Sequence, residues 1–176
     1  MKRREKPKKV KDVKKTFEED DLDYYEEDED NGVVILQTHT KINQEINGEI
    51  IKLEKGYVEL RLLTTSEMLV DKFGLIHGGF IFSSADYAAM AAVNEPNVVL
   101  VASDCQFLSP VRVHDEVNFI AKVRHKEGKK RNVNVEAYVL DIKVFDGIFK
   151  TVITEKHVLK LKLLEGDNPN AIEEDK

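Results

Sequence analysis

The 176-residue chain has one cysteine, no tryptophan, four prolines and no long uncharged run. A single Cys105 excludes an intramolecular disulfide framework and a cysteine-based zinc site, so a reducing, cytoplasmic setting is expected. The longest stretch without Asp, Glu, Lys or Arg is Phe73 to Ala85, 13 residues interrupted by His77, Gly78 and Gly79. A bilayer span needs about 20 mostly apolar residues, so no membrane span is expected. The N-terminus is charged and lacks the apolar segment of a signal peptide. The five histidines (His39, His77, His114, His125, His157) form no metal-ligand pattern, and no metal is expected.

What the chain has in quantity is charge, divided unevenly. Residues 1–15 carry nine Lys/Arg against Glu5 and Asp12, residues 16–31 carry ten acids and no base, and the tail 165–176 carries five acids and Lys176. The middle, 32–164, holds 17 bases and 16 acids. The organisation read from this is a charged N-terminal extension over 1–31, one domain over 32–164 and an acidic tail over 165–176. The extension has too little apolar content to offset its ordering entropy, so it is expected to be mostly disordered. Lys2 to Lys15 could touch a nucleic acid or an anionic membrane; the plainer reading is a solvated tail whose halves neutralise each other. No pair of packed helices suited to a DNA groove is legible, so no nucleic-acid partner is expected.

Within 32–164 the pattern is mostly that of strands. Ile50–Leu53 and Tyr57–Leu63 flank Glu54-Lys55-Gly56, a hairpin with glycine where φ must be positive. Val58, Leu60 and Leu62 alternate with Glu59 and Arg61, the period of a half-buried strand. Gly79 to Asn94 is rich in alanine and free of proline, with Pro96 two residues beyond, which predicts a helix of about four turns, roughly 20 Å long. Its small, mostly uncharged residues predict close packing on several sides. Strand patterns return at 98–103, 117–124, 133–139 and 148–163, with Asp146-Gly147 expected as the turn before the last. A long antiparallel sheet wrapped around one central helix, an α+β fold, satisfies this order.

Residues 71–94, Asp-Lys-Phe-Gly-Leu-Ile-His-Gly-Gly-Phe-Ile-Phe-Ser-Ser-Ala-Asp-Tyr-Ala-Ala-Met-Ala-Ala-Val-Asn, resemble the His-Gly-Gly…Ala-Asp signature of hot-dog-fold acyl-CoA thioesterases. They are most similar to the phenylacetic-acid-pathway type. The similarity continues through Ser103 to Pro110, where Phe107-Leu108-Ser109-Pro110 resembles the family's strand ending, and covers roughly 45–164. The resemblance implies a homodimer, or a dimer of dimers, whose sheets join edge to edge with active sites at the interface. It implies an acyl-CoA ligand, with coenzyme A as part of the ligand and no separate cofactor.

The resemblance also assigns roles. The Gly79 N–H is the expected oxyanion donor, and Asp86 the nucleophile or the base that activates water. Unpaired N–H groups at a helix start carry partial positive charge, and losing one oxyanion donor typically costs about 3 kcal/mol of barrier. Asp71, His77, Gly78, Ser83 and Met90 are expected around the substrate. His77 is expected to hold the glycine turn by a ring hydrogen bond, and Cys105 to be a small buried strand residue rather than a nucleophile. Lys122, Arg124, Lys126, Lys129, Lys130 and Arg131 form a basic cluster with Glu127 as its one acid. It either holds the phosphates of coenzyme A, with Lys130 and Arg131 as the contacts, or is a solvated hairpin turn. Four positions depart from the family pattern. Asp71 stands where an asparagine is usual, Ser84 where a leucine is common, Met90 where relatives place a hydroxyl residue, and His114 where glycine is frequent. Two functions follow: hydrolysis of an acyl-CoA thioester, or non-catalytic acyl-CoA binding by a sensor or regulator.

Overall fold

The structure, a computed structural model, describes residues 33–161. The expected extension 1–31 and tail 165–176 lie outside the described residues. A short apolar stretch leads into the one-turn helix α1 (Gln44–Asn47), capped by the Asn43 side chain accepting from the Glu45 N–H. Then come β1 (Glu49–Glu54), β2 (Tyr57–Leu63), the long helix α2 (Gly78–Val93), β3 (Val98–Phe107), β4 (Glu116–Glu127), β5 (Lys130–Val139) and β6 (Ile142–Ile153). The six strands make one sheet in the order β1-β2-β4-β5-β6-β3, every neighbouring pair antiparallel.

The alternation seen in the sequence sets which face is covered. Val58, Leu60 and Leu62 of β2, Val117, Phe119, Ala121 and Val123 of β4, and Val133, Val135 and Ala137 of β5 are buried against α2. Burying each large apolar side chain contributes about 1.5–3 kcal/mol. On α2, Ala85, Ala88, Ala89, Ala91 and Ala92 are fully buried, and their small volume lets the helix axis approach the sheet. The helix stops at Asn94, which takes a left-handed φ of 53° and returns its N–H to the Met90 carbonyl at 2.9 Å, the ordinary device for a helix end. This is the hot-dog fold, a curved sheet around one helix.

Most predicted elements stand where the pattern put them, including Gly56 at φ 79° between β1 and β2. The exception is the last strand. Asp146-Gly147 is not a turn but lies inside β6, paired with Gln106 and Cys105 of β3. Gly147 is required by packing instead: a Cβ there would lie 2.9 Å from the Cys105 Cβ and 3.2 Å from the Phe145 and Phe149 rings. The β5–β6 turn falls at Leu140-Asp141, between the paired residues Val139 and Ile142, and β6 ends at Ile153. The sequence reading also passed over α1.

Four non-glycine residues, His39, Asn94, His114 and Leu140, occupy left-handed backbone that favours glycine. His114 (φ 71°) has its N–H bonded to the Thr64 carbonyl at 3.1 Å. Leu140 (φ 52°) opens the two-residue β5–β6 turn with its side chain 88% exposed. A left-handed non-glycine residue costs about 1–2 kcal/mol, and nothing buried is lost with this leucine. Leu140→Gly is therefore expected to raise stability by about 1 kcal/mol, less the added entropy of the unfolded chain. Urea unfolding checks this; a lower midpoint would contradict it.

Candidate active site

The start of α2 is built by a histidine and two glycines. His77 is the N-cap residue, and its Nδ1 accepts from the Gly79 N–H at 2.8 Å, which leaves the ring proton on Nε2. Each glycine is there for space. A Cβ on Gly79 would sit 2.6 Å from His77 Nδ1, and one on Gly78 would meet the Phe107 ring at 3.1 Å. Phe107 closes β3, and its ring packs edge-on against Phe145 at 5.3 Å between centroids. The Phe-Leu-x-Pro segment thereby meets the helix start. Between them lies a mostly apolar cleft of about 290 Å³, lined by Leu75, Ile76, Gly78, Ile81 and residues 107–111 with Val144. Its apolar lining suits an acyl chain, and the Gly78 N–H at its wall is the helix-start donor that the His77 ring does not take.

Asp86 lies on the same stripe of α2 as Gly79, two turns on. It is the helix's one charged residue. Its Oδ1 is buried without a hydrogen-bond partner among the described residues, and burial raises the carboxyl pKa to about 6. Such a group is mostly ionised at neutral pH yet a better base than an exposed aspartate. Eight residues separate it from Gly78, about 12 Å along the axis. One chain's Asp86 therefore cannot reach a carbonyl held at its own Gly78.

The remaining expected site residues disperse. Asp71 is exposed, and its Oδ1 accepts from the Phe73 and Leu75 N–H groups at 2.8 and 3.2 Å, fastening the loop before the helix. Ser83 donates to Asn47 Oδ1, and Asn47 in turn donates to the Asn43 carbonyl at 2.9 Å. Met90 is fully buried in the core. Its position on the helix faces inward, where a thioether packs well. Lys130 and Arg131 lie at the other end of the sheet. Lys130 pairs with Val152 and Val152 with Val99, whereas the helix start meets Phe107. Eight strand residues, about 26 Å, separate those rows. Arg131 donates to the Gly128 and Lys130 carbonyls at 2.6 and 2.8 Å.

The sequence reading missed Asn47, whose amide anchors Ser83; only its place in the fold reveals it. A larger open cavity of about 770 Å³ between α1 and β2 is lined by Gln44, Glu45, Arg61, Glu67 and Glu116 among others. It contains none of the expected site residues.

The comparisons with known proteins can be set beside this geometry. The family described as the Thioesterase superfamily matches residues 73–145, the span from the loop before the helix into β6. The methylthioribose-1-phosphate isomerase of Aquifex aeolicus is 50% identical over 117 residues, 66% of this chain and 26% of that protein. The transcription factor FapR of Staphylococcus aureus is 31% identical over 108 residues, 61% of this chain and 58% of that protein. The chain thus spans about a quarter and somewhat over half of these two relatives. Among solved structures, the uncharacterised protein PH1136 of Pyrococcus horikoshii is 44% identical with a TM-score of 0.71, over 72% of this chain and 97% of that one. The Escherichia coli PaaI protein, from the phenylacetic acid degradation operon, is 26% identical with a TM-score of 0.57, over 62% and 80%.

The buried carboxyl has a consequence for stability. Its pKa is raised in the fold, so the unfolded chain loses this proton near pH 4 and the folded chain near pH 6. Between those values folding retains a proton that the unfolded chain releases, and stability falls as pH rises through the window. Above it the deficit is constant, about 2–3 kcal/mol. Asp86→Asn is expected to be more stable than the parent by about that amount at pH 7.5, with the gain vanishing near pH 4. Urea unfolding at both pH values measures it; an equal gain at both would show that the charge is not the cause.

Proposed function

The chain belongs to the thioesterase superfamily, and from that premise we propose that it binds an acyl-CoA thioester and hydrolyses it at a site shared by two copies. The observation that carries this reading is the partly buried, unsatisfied Asp86 carboxyl on the open stripe of α2, two turns from the helix start. Its reach of about 12 Å along the helix is too long for one chain and suits a second copy. The sheet offers the means. β3 is an edge strand, and Val101, Ser103, Asp104 and Phe107 on it are exposed. A ten-residue unpaired edge with one charge is a template for a further strand. Antiparallel pairing of β3 with its copy brings the middle of each helix toward the other's glycine turn. It also carries each β4–β5 hairpin toward the far copy's Phe107 end, which gives Lys130 and Arg131 a route to the phosphates of coenzyme A.

In the proposed reaction the acyl chain occupies the apolar cleft and the thioester carbonyl faces the N–H groups at the start of α2. Asp86 of the other copy takes a proton from water as its oxygen adds to the carbonyl carbon. The negative charge moves to the carbonyl oxygen, where the Gly78 N–H, and the Gly79 N–H if released from His77, stabilise it. Collapse of the adduct breaks the carbon–sulfur bond, and the proton returns to the departing thiolate. The free acid and coenzyme A are the products.

A second reading has its own observation. The Gly79 N–H is engaged by His77 Nδ1, which leaves one donor fewer for an oxyanion, and a similar protein, FapR, is a transcription factor. On this reading the same cleft binds acyl-CoA without turnover and reports it to a partner.

Release of free thiol from short, long and aromatic acyl-CoAs, with binding followed in parallel by calorimetry, separates the two. Hydrolysis is expected to fall at least 10²-fold in Asp86→Ala. In the parent it is expected to fall about tenfold per pH unit below pH 6, as the base becomes protonated. Binding across the panel with no thiol release would establish the regulatory reading instead.

A further inference from the structure

The acidic block near the N-terminus and one hairpin of the fold carry opposite charge. Residues 122–131 hold six of the 17 bases and one of the 16 acids of 32–164, so the remainder of the domain is net negative. These ten residues are the end of β4, the turn at Gly128 and the start of β5. Lys150 of β6, paired with Asn132, adds a further base beside them. Lys122, Arg124, Lys130 and Lys150 are exposed. Lys129 pairs with Glu155.

The chain joins the described fold at that same end. The Gln37 N–H donates to Asn94 Oδ1 at 2.8 Å, and Asn94 Nδ2 donates to the Ile35 carbonyl at 3.0 Å. Three residues beyond Asn94, the Asn97 carbonyl accepts from the Thr154 N–H at 3.1 Å, and the Ile153 N–H donates to the Lys129 carbonyl at 2.8 Å. The acidic block Glu18 to Asp30 carries ten acids and no base and ends five residues before Ile35. Five residues reach at most about 18 Å and the block itself about 45 Å, so the hairpin is within range. Tethering also makes the encounter intramolecular, at an effective concentration on the order of millimolar.

We propose that residues 18–30 dock on the basic hairpin 122–131 and Lys150 of the same chain, as a built-in polyanion. The rival partner is the chain's own Lys2–Lys15. The hairpin's backbone is already fixed by the sheet, so docking on it adds little conformational entropy cost on the hairpin's side. The consequence for ligand binding rests on the reading that this hairpin holds the phosphates of coenzyme A: the acidic block then competes with them.

The test is zero-length carbodiimide cross-linking of the full chain, an equal mixture of ¹⁵N-labelled and unlabelled protein, followed by peptide mass spectrometry. Links from Glu18–Asp30 to Lys122, Lys126, Lys129, Lys130 or Lys150 are expected within one isotope. Their yield is expected to fall several-fold between about 20 and 500 mM salt, where the Debye length contracts. Lys122→Glu with Arg124→Glu, both exposed positions, should reduce the links at Lys126, Lys130 and Lys150 in the same way. Links confined to Lys2–Lys15, spread evenly over Lys41, Lys52 and Lys72, or joining the two isotopes overturn the proposal. Calorimetry with inorganic pyrophosphate addresses the consequence separately. A chain with the ten acids changed to Asn and Gln should bind it several-fold more tightly; hairpin links with unchanged pyrophosphate affinity would leave the docking standing and overturn the phosphate role.

Discussion

A helix buried by a single curved sheet imposes the constraint on which the rest of this structure depends. Nine of the sixteen residues of α2 are buried, so the segment must supply small apolar side chains on almost every face. The run from Ala85 to Ala92 does so and lets β2, β4 and β5 close on it. The strands bring the matching half, with Phe119 and Phe149 filling the space that the alanines leave. Within such an arrangement a charge is expensive, and only one carboxyl is placed on the helix, on the stripe that the sheet leaves partly open.

That carboxyl and the helix start share a physical origin. Both are sites where folding leaves polar groups incompletely satisfied: the first N–H groups of α2 because a helix has no preceding turn, and Asp86 Oδ1 because it is buried with no hydrogen-bond partner among the described residues. The His77 ring satisfies one N–H and leaves another. Strain and desolvation kept in this way are characteristic of sites that act on ligands, and their separation along the helix makes a second copy part of the chemistry proposed.

Much of the fold was legible because its signals are local. Gly56 marks the β1–β2 turn, alternation at Val58, Leu60 and Leu62 marks the covered face, and the alanine run ending at Asn94 marks the helix. Asp146-Gly147 misled because a turn and a crowded strand both ask for glycine. The sequence does not distinguish a glycine needed for positive φ from one needed because the Cys105 Cβ and two phenylalanine rings lie against it. The hairpin turn went to Leu140-Asp141, where leucine accepts a conformation that propensity would give to glycine.

For the site, residue type and spacing alone determined that Asp86 sits two turns along one helical face from the glycines, since helical periodicity is a property of the backbone. They also determined that the helix carries no competing charge. Only the tertiary structure decided that Met90 turns into the core, that Ser83 is anchored by Asn47, that Asp71 fastens its own loop, and that Lys130 and Arg131 stand at the opposite end of the sheet. Each of those outcomes depends on which strand or loop packs beside the residue, and strand order and register arise from contacts between segments far apart in the chain.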